Sequence, residues 1–145
     1  MLWVLGYAAK AQEVRWDTCK FMTYNVLNFD NTGNDKEQYL FEVVDSMHPD
    51  ILIVQELIEL SGAIRFFDSV VYKVDTNYAM GTFINSFDTD NGIYFRKDKF
   101  AFITNTPITT ELRDINEFKL KQLATGEAIH LHFLHLKASR VSTNA

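Results

Sequence analysis

The run Ile51-Leu52-Ile53-Val54, entered through Pro49-Asp50 and left through Gln55-Glu56, constrains this chain more than any other feature. A run this short does not make a helix of its own, and without polar alternation it has no face to give to water. It therefore reads as a strand covered on both sides. Such a strand needs a layer on each face, which places the chain among layered α/β architectures. Upstream, Phe21 to Phe29 (FMTYNVLNF) is rich in aromatic and β-branched residues and stops in Asp30-Asn31-Thr32-Gly33, a strand followed by a loop. Between the two runs, Asn34 suits an N-cap, with Glu37 three residues on. Tyr39, Leu40, Val43, Val44 and Met47 then share a helical stripe that halts before Pro49. Strand, helix and strand in this order imply a parallel βαβ unit with a right-handed crossover.

Further along, Ile64, Phe67, Val70 and Val71 recur at helical spacing and predict a helix from Ser61 to Val71. After it the pattern changes to short strands: Tyr78 to Asn85, Gly92 to Arg96, Phe100 to Thr104, Ile115 to Leu123 and Ala128 to Leu136. Lys97-Asp98-Lys99 is a tight polar turn, and Gly126 in Ala124-Thr125-Gly126-Glu127 supplies the positive φ a hairpin needs. The carboxyl half is thus expected to be an antiparallel meander. No internal repeat, Pro/Ser-rich linker or charge block divides the chain, so residues 20–145 read as one α/β unit, with 1–19 as a lead-in.

Composition excludes several functions. Fourteen Lys plus Arg against nineteen Asp plus Glu leave a net charge of −5, which argues against affinity built on blanket phosphate neutralisation. A metal-assisted phosphate enzyme stays open, because a bound cation reverses the local field. Cys19 is the only cysteine, so neither an intrachain disulfide nor a Cys-rich zinc site is available. There is no GxGxxG, Walker-A, GxSxG, HExxH or EF-hand signature. Leu2 to Ala9 is apolar but far too short to span a bilayer, and Ala9-Lys10-Ala11 has the small-x-small shape of a signal peptidase site. The segment reads as the tail of an export signal, giving a secreted or periplasmic protein; the plain alternative is an edge strand or a buried terminus.

A carboxylate leaving a dry strand raises a chemical question, since α/β proteins place ligands at the carboxyl ends of their strands. Glu56 is that residue: it either holds a hard divalent ion or is a solvated strand-end charge. Asn25 lies inside the first apolar strand, where an amide needs partners. It either bonds a neighbouring loop or orients a carboxylate or phosphate beside Glu56, and the parallel βαβ unit brings the two to one end of the sheet. His130 and His132 share a strand face, with His135 on the other. The first two form a His-x-His pair without further zinc ligands at recognisable spacing and read as surface residues. His135 falls in phase with Ile129, Leu131 and Phe133, where a half-buried imidazole beside a phosphate donates a hydrogen bond or shuttles a proton. Asp88, Asp90 and Asn91 look like a calcium-loop fragment but lack the downstream Glu, and a loop at the sheet edge is the better reading.

Four segments in order, Phe21-Met22-Thr23-Tyr24-Asn25, Pro49 to Glu56 (PDILIVQE), Asp90 to Phe100 (DNGIYFRKDKF) and His135 to Ser139 (HLKAS), resemble the endonuclease/exonuclease/phosphatase family. That family includes deoxyribonuclease I, AP endonucleases and neutral sphingomyelinases. The likeness runs from about Lys20 to the end and is nearest to secreted bacterial members, with Thr110 to Phe118 (TELRDINEF) as a further shared segment. It implies a four-layer α/β sandwich with two packed mixed sheets flanked by helices, and Mg²⁺- or Mn²⁺-dependent hydrolysis of phosphate esters, DNA or RNA among the possible substrates. It also implies Glu56 as metal ligand, Asn25 as a residue that positions metal or phosphate, and His135 in the phosphate pocket. The Gly-Asp-x-Asn and Ser-Asp-His motifs of the family do not occur in the 145 residues. On that reading the chain is the amino-terminal part of the domain, its carboxyl-terminal half absent, and the alternative is a non-catalytic remnant or binding scaffold of the same fold. The isolated chain is then expected to be marginally stable and a poor enzyme. A cooperative monomeric melt together with brisk Mg²⁺-dependent hydrolysis lost in Glu56→Ala is the result that contradicts this.

Overall fold

A computed structural model describes residues 18–32, 35–86, 89–111 and 113–135. Strand β1 (Phe21–Phe29) leads through helix α1 (Lys36–Met47) to β2 (Ile51–Leu57), and β1 and β2 pair in parallel as the βαβ reading requires. Helix α2 (Glu59–Phe66) passes through a π-helical turn (Phe67–Val71) into the single-turn α3 (Tyr72–Val74). β3 (Tyr78–Met80) and β4 (Asp90–Arg96) complete a mixed sheet in the order β1-β2-β4-β3. β5 (Phe100–Ile108), β6 (Ile115–Gln122) and β7 (Ala128–Phe133) make a separate antiparallel sheet.

β2 sits inside the first sheet and separates two cores. Leu52, Val54 and Leu57 join Val26, Phe29, Leu40, Val44, Phe66, Val70 and Tyr94 beneath the helices. Ile51 and Ile53 join Ile93, Phe95, Phe100, Phe118 and Leu120 between the two sheets. Alternate residues thus feed opposite cores, which is why the run has no polar position. The described residues form helices, sheet and sheet, three layers of an α/β sandwich with one mixed sheet.

The structure corrects the meander. β4 and β5 do not pair: the Lys97–Lys99 turn carries the chain from the first sheet to the second, and β4 lies between β2 and β3. The reason is burial, since β4 is buried along almost its whole length and needs a sheet neighbour on each side. The helix stripe is also shifted. Leu40 and Val44 are buried with Phe41 packed beside them, whereas Tyr39 is 69% exposed and Val43 and Met47 are exposed too. α1 begins at Lys36, and Asn34 lies outside the described residues, as do the export segment and the residues after His135. The second helix starts two residues earlier than its spacing predicts, and the π turn changes its phase, so Phe66, Val70 and Val71 are buried while Ile64 is exposed. Gly62 lets α2 settle on the end of β1, where a Cβ would meet the Phe29 carbonyl oxygen at 2.8 Å.

At the end of β2 remote from Glu56, buried Asp50 accepts hydrogen bonds from the Lys20 backbone N–H at 2.9 Å and from Lys99 Nζ at 2.9 Å. Burial pushes its carboxyl up, but the Lys20 N–H and the Lys99 ammonium outweigh that and hold it below the ordinary value. Because the folded value lies below the unfolded one of about 3.9, this stabilisation is complete above that pH and disappears as pH falls through the folded value. Asp50→Ala is expected to cost roughly 1–3 kcal/mol at neutral pH, with the gap to the parent closing on acidification. Urea denaturation at pH 7 and pH 3 measures both.

Candidate active site at the end of the buried strand

Glu56 projects from a backbone irregularity shared by three strands. Asn25 pairs with Gln55 and Phe29 with Leu57, so Val26, Leu27 and Asn28 stand opposite Glu56 alone. On the other side Val54 pairs with Gly92 and Leu57 with Asp90, which leaves Gln55 and Glu56 opposite Asn91. A double bulge of this kind re-aims side chains, and its cost is visible in left-handed backbone at Leu27 (φ 53°), Asn28 (φ 52°) and Glu56 (φ 60°). Such strain persists where surrounding contacts over-determine it. Here the Ile58 N–H donates to the Phe29 carbonyl at 2.8 Å, and Lys36 Nζ donates to the Leu27 carbonyl at 2.8 Å.

The bulge orients Asn25. Its Oδ1 accepts the Leu27 N–H at 2.9 Å, which leaves Nδ2 to donate to Glu56 Oε1 at 3.0 Å. His135, just past β7, brings Nε2 to 3.5 Å from the same oxygen. That pair is sheltered, with 17% of the His135 side chain and 15% of the Glu56 side chain exposed. The structure therefore gathers all three sequence-derived residues, from two sheets, around one carboxylate oxygen. Asn25 meets Glu56 as a donor, with its amide oxygen already engaged by the backbone.

One residue escaped the sequence reading. Arg113, ahead of β6, places Nη1 3.0 Å from His135 Nδ1 and 3.3 Å from Nε2. A guanidinium only donates, so the imidazole meets a fixed cation with its nitrogen edge. The signal was the single arginine of the TELRDINEF segment, but nothing local said which strand it would face. His130 and His132 behave as expected of surface residues, both approaching Glu117: His130 Nδ1 at 2.7 Å and His132 Nε2 at 3.8 Å. The His130 hydrogen bond holds the Glu117 carboxyl below its ordinary value. Asp90 is buried and accepts the Ser86 N–H at 3.0 Å and the Ser86 hydroxyl, a loop-fixing role. Among the described residues no three His, Cys, Asp or Glu side chains gather as a metal cage. A cleft of about 430 Å³ lined by Asp35, Glu37, Gln38, Phe41, Ser69 and Lys73 lies on the helix layer and shares no residue with the site.

These features define a class: a layered α/β sandwich whose buried central strand ends in an oriented carboxylate. More particularly, the fold is that of the endonuclease/exonuclease/phosphatase, or deoxyribonuclease I-like, family. D. rerio TDP2, crystallised with a single-strand DNA product, superposes with a TM-score of 0.64 at 20% identity over 87% of this chain and 49% of its own. The human Nocturnin catalytic domain with bound sulfate gives 0.55 at 18% identity over 79% of this chain and 48% of its own. ANGEL2, described as a 2',3'-cyclic phosphatase, gives 0.57 at 15% identity over 79% and 39%. The chain thus spans about half the length of TDP2 and Nocturnin or less in the case of ANGEL2. No protein-family model matches the chain, and no curated protein sequence does.

Asn25→Asp sets two carboxylates about one hydrogen-bond length apart, where like charges disfavour joint ionisation. The variant is expected to melt below the parent at pH 8 and to approach it near pH 4, and thermal melts at the two values measure the difference.

Proposed function

We propose that this chain carries the metal-side and phosphate-side groups of a divalent-metal-dependent phosphoesterase, with a phosphodiester of the nucleic-acid type as its substrate. The carrying observation is the meeting of Asn25, Glu56 and His135 at 3.0 and 3.5 Å on one carboxylate oxygen. The donor set fits a hard ion such as Mg²⁺ or Mn²⁺, which takes one or two carboxylates and fills its remaining positions with water and substrate oxygens. Glu56 would hold that ion, and the ion would neutralise charge on the phosphate. Asn25, fixed by the Leu27 N–H, keeps the carboxylate aimed through its Nδ2. His135 stands where an imidazole can donate to a non-bridging phosphate oxygen or move a proton. Arg113 holds positive charge against His135 and suits an anionic substrate.

The nucleic-acid preference draws support from TDP2 and its single-strand DNA product. With a net charge of −5, binding of such a substrate would rest on the ion and these few local groups and not on a basic surface. Among the described residues no three His, Cys, Asp or Glu side chains gather as a metal cage, and the groups here are read as part of a hydrolytic site. Export to the periplasm or medium goes with this reading through the Leu2–Ala9 segment, which lies outside the described residues. Among the described residues no helix is long and apolar enough to cross a membrane. The second reading is a non-catalytic remnant or binding scaffold of the same fold, with no metal held at Glu56.

Mn²⁺ titration followed by water-proton relaxation separates the two. Metal binding weakened by about tenfold or more in Glu56→Gln is the expected result, in line with the losses seen when metal-site carboxylates or their partners are removed. Binding indifferent to Glu56 leaves the scaffold reading.

A further inference from the structure

Three buried amides run between the two sheets, two of them within the DNGIYFRKDKF and TELRDINEF segments, and the site just described gives them no role. Asn91 Nδ2 donates to Asn116 Oδ1 at 2.8 Å, Asn116 Nδ2 donates to Asn105 Oδ1 at 3.1 Å, and Asn105 Nδ2 donates to the Thr82 carbonyl at 3.0 Å. The three are 5%, 5% and 8% exposed in the order Asn91, Asn116, Asn105. Buried amides are retained at a desolvation cost that only a complete set of partners offsets, and a satisfied chain of them imposes direction where apolar packing imposes none.

Their position is informative. Glu56 belongs to the first sheet and His135 follows the last strand of the second, and among the described residues no backbone ladder joins the sheets. The covalent link between them, the Lys97–Lys99 corner, lies at the far end of β4, beside Asp50. Asn91 is the second residue of β4, at the near end and opposite the Glu56 bulge. Asn116 pairs with Phe133, two residues before His135. The corner therefore ties the sheets at one end, and the amide chain ties them at the end where the site stands.

We propose that Asn91, Asn116 and Asn105 are positioning residues: their amide chain closes the open end of the sandwich and sets the approach of His135 to Glu56. The proposal rests on the reading of that pair as the site. Without the chain, the interface at this end is held by apolar side chains that slide, and the two sheets can hinge about the Lys97–Lys99 corner.

The test reads the pair directly by NMR of the four histidine rings. Glu56→Gln is expected to move the His135 ring signals and leave those of His48, His130 and His132 in place. In an Asn116→Leu background the same substitution is expected to move His135 by less than half as much. Asn105→Ala, at the loop end of the chain, provides the same measurement where Asn116→Leu does not fold. Val44→Ala in the helix-side core serves as the control for general destabilisation, and there the full His135 response is expected. A full response in both asparagine backgrounds overturns the proposal and leaves the site reading standing. No His135 response to Glu56→Gln in the parent chain removes the contact itself, and with it both the site reading and the proposal.

Discussion

Everything in this molecule hangs on β2 being dry on both faces. Ile51 and Ile53 close the core between the sheets, and Leu52, Val54 and Leu57 close the core under the helices. A strand so placed has no solvent-facing position on which to carry a polar group. Chemistry can begin only where the strand ends, and Glu56 stands at that place. Its neighbours pay for the arrangement in backbone strain, through the left-handed residues Leu27, Asn28 and Glu56. That strain is held by the βαβ unit: the crossover helix supplies Lys36 to the Leu27 carbonyl, and α2 docks on Phe29 through the close approach of Gly62.

The two ends of β2 do different work. At the entry, Asp50 gathers the Lys20 N–H and Lys99, Tyr78 donates its hydroxyl to the Pro49 carbonyl, and burial raises the Tyr78 phenol to about 12. These groups knit β2 to the corner where the chain changes sheets, and they are satisfied within the protein. At the exit, one oxygen of Glu56 is shared by Asn25 and His135, with Arg113 behind His135. The entry joins a carboxylate and an ammonium with backbone groups at the corner between the sheets, whereas the exit brings a carboxylate, an imidazole and a guanidinium together from both sheets. The entry thus closes on itself around backbone groups, and the exit gathers side chains from both sheets around one carboxylate oxygen.

Much of this was legible in the chain itself. The continuous apolar run, the strand before it and the intervening helical spacing determine a parallel βαβ unit, and that unit places Asn25 and Glu56 at one end of the sheet. The alternation through Ile129, Leu131, Phe133 and His135 separates His135 from the solvent-facing His130 and His132 without any structure. Local patterns of period 2 and 3.6 carry such information because they report which face of an element is buried.

Pairing between distant strands is not local, and there the sequence falls silent. The Lys97–Lys99 turn looks like a hairpin but is a corner between sheets, because the turn residues do not record that β4 already has neighbours in β2 and β3. The same holds for Arg113, which meets His135 across 22 positions of chain, and for Asn91, Asn116 and Asn105, whose joining into one chain of amides no local pattern records. The sequence by itself determined the elements, the doubly buried strand and the residues that lead out of it, since these follow from hydrophobic periodicity and backbone preference. Tertiary structure decided which sheet each later strand joins and which amides and cations face the site, because those depend on contacts between surfaces that only the folded chain brings together.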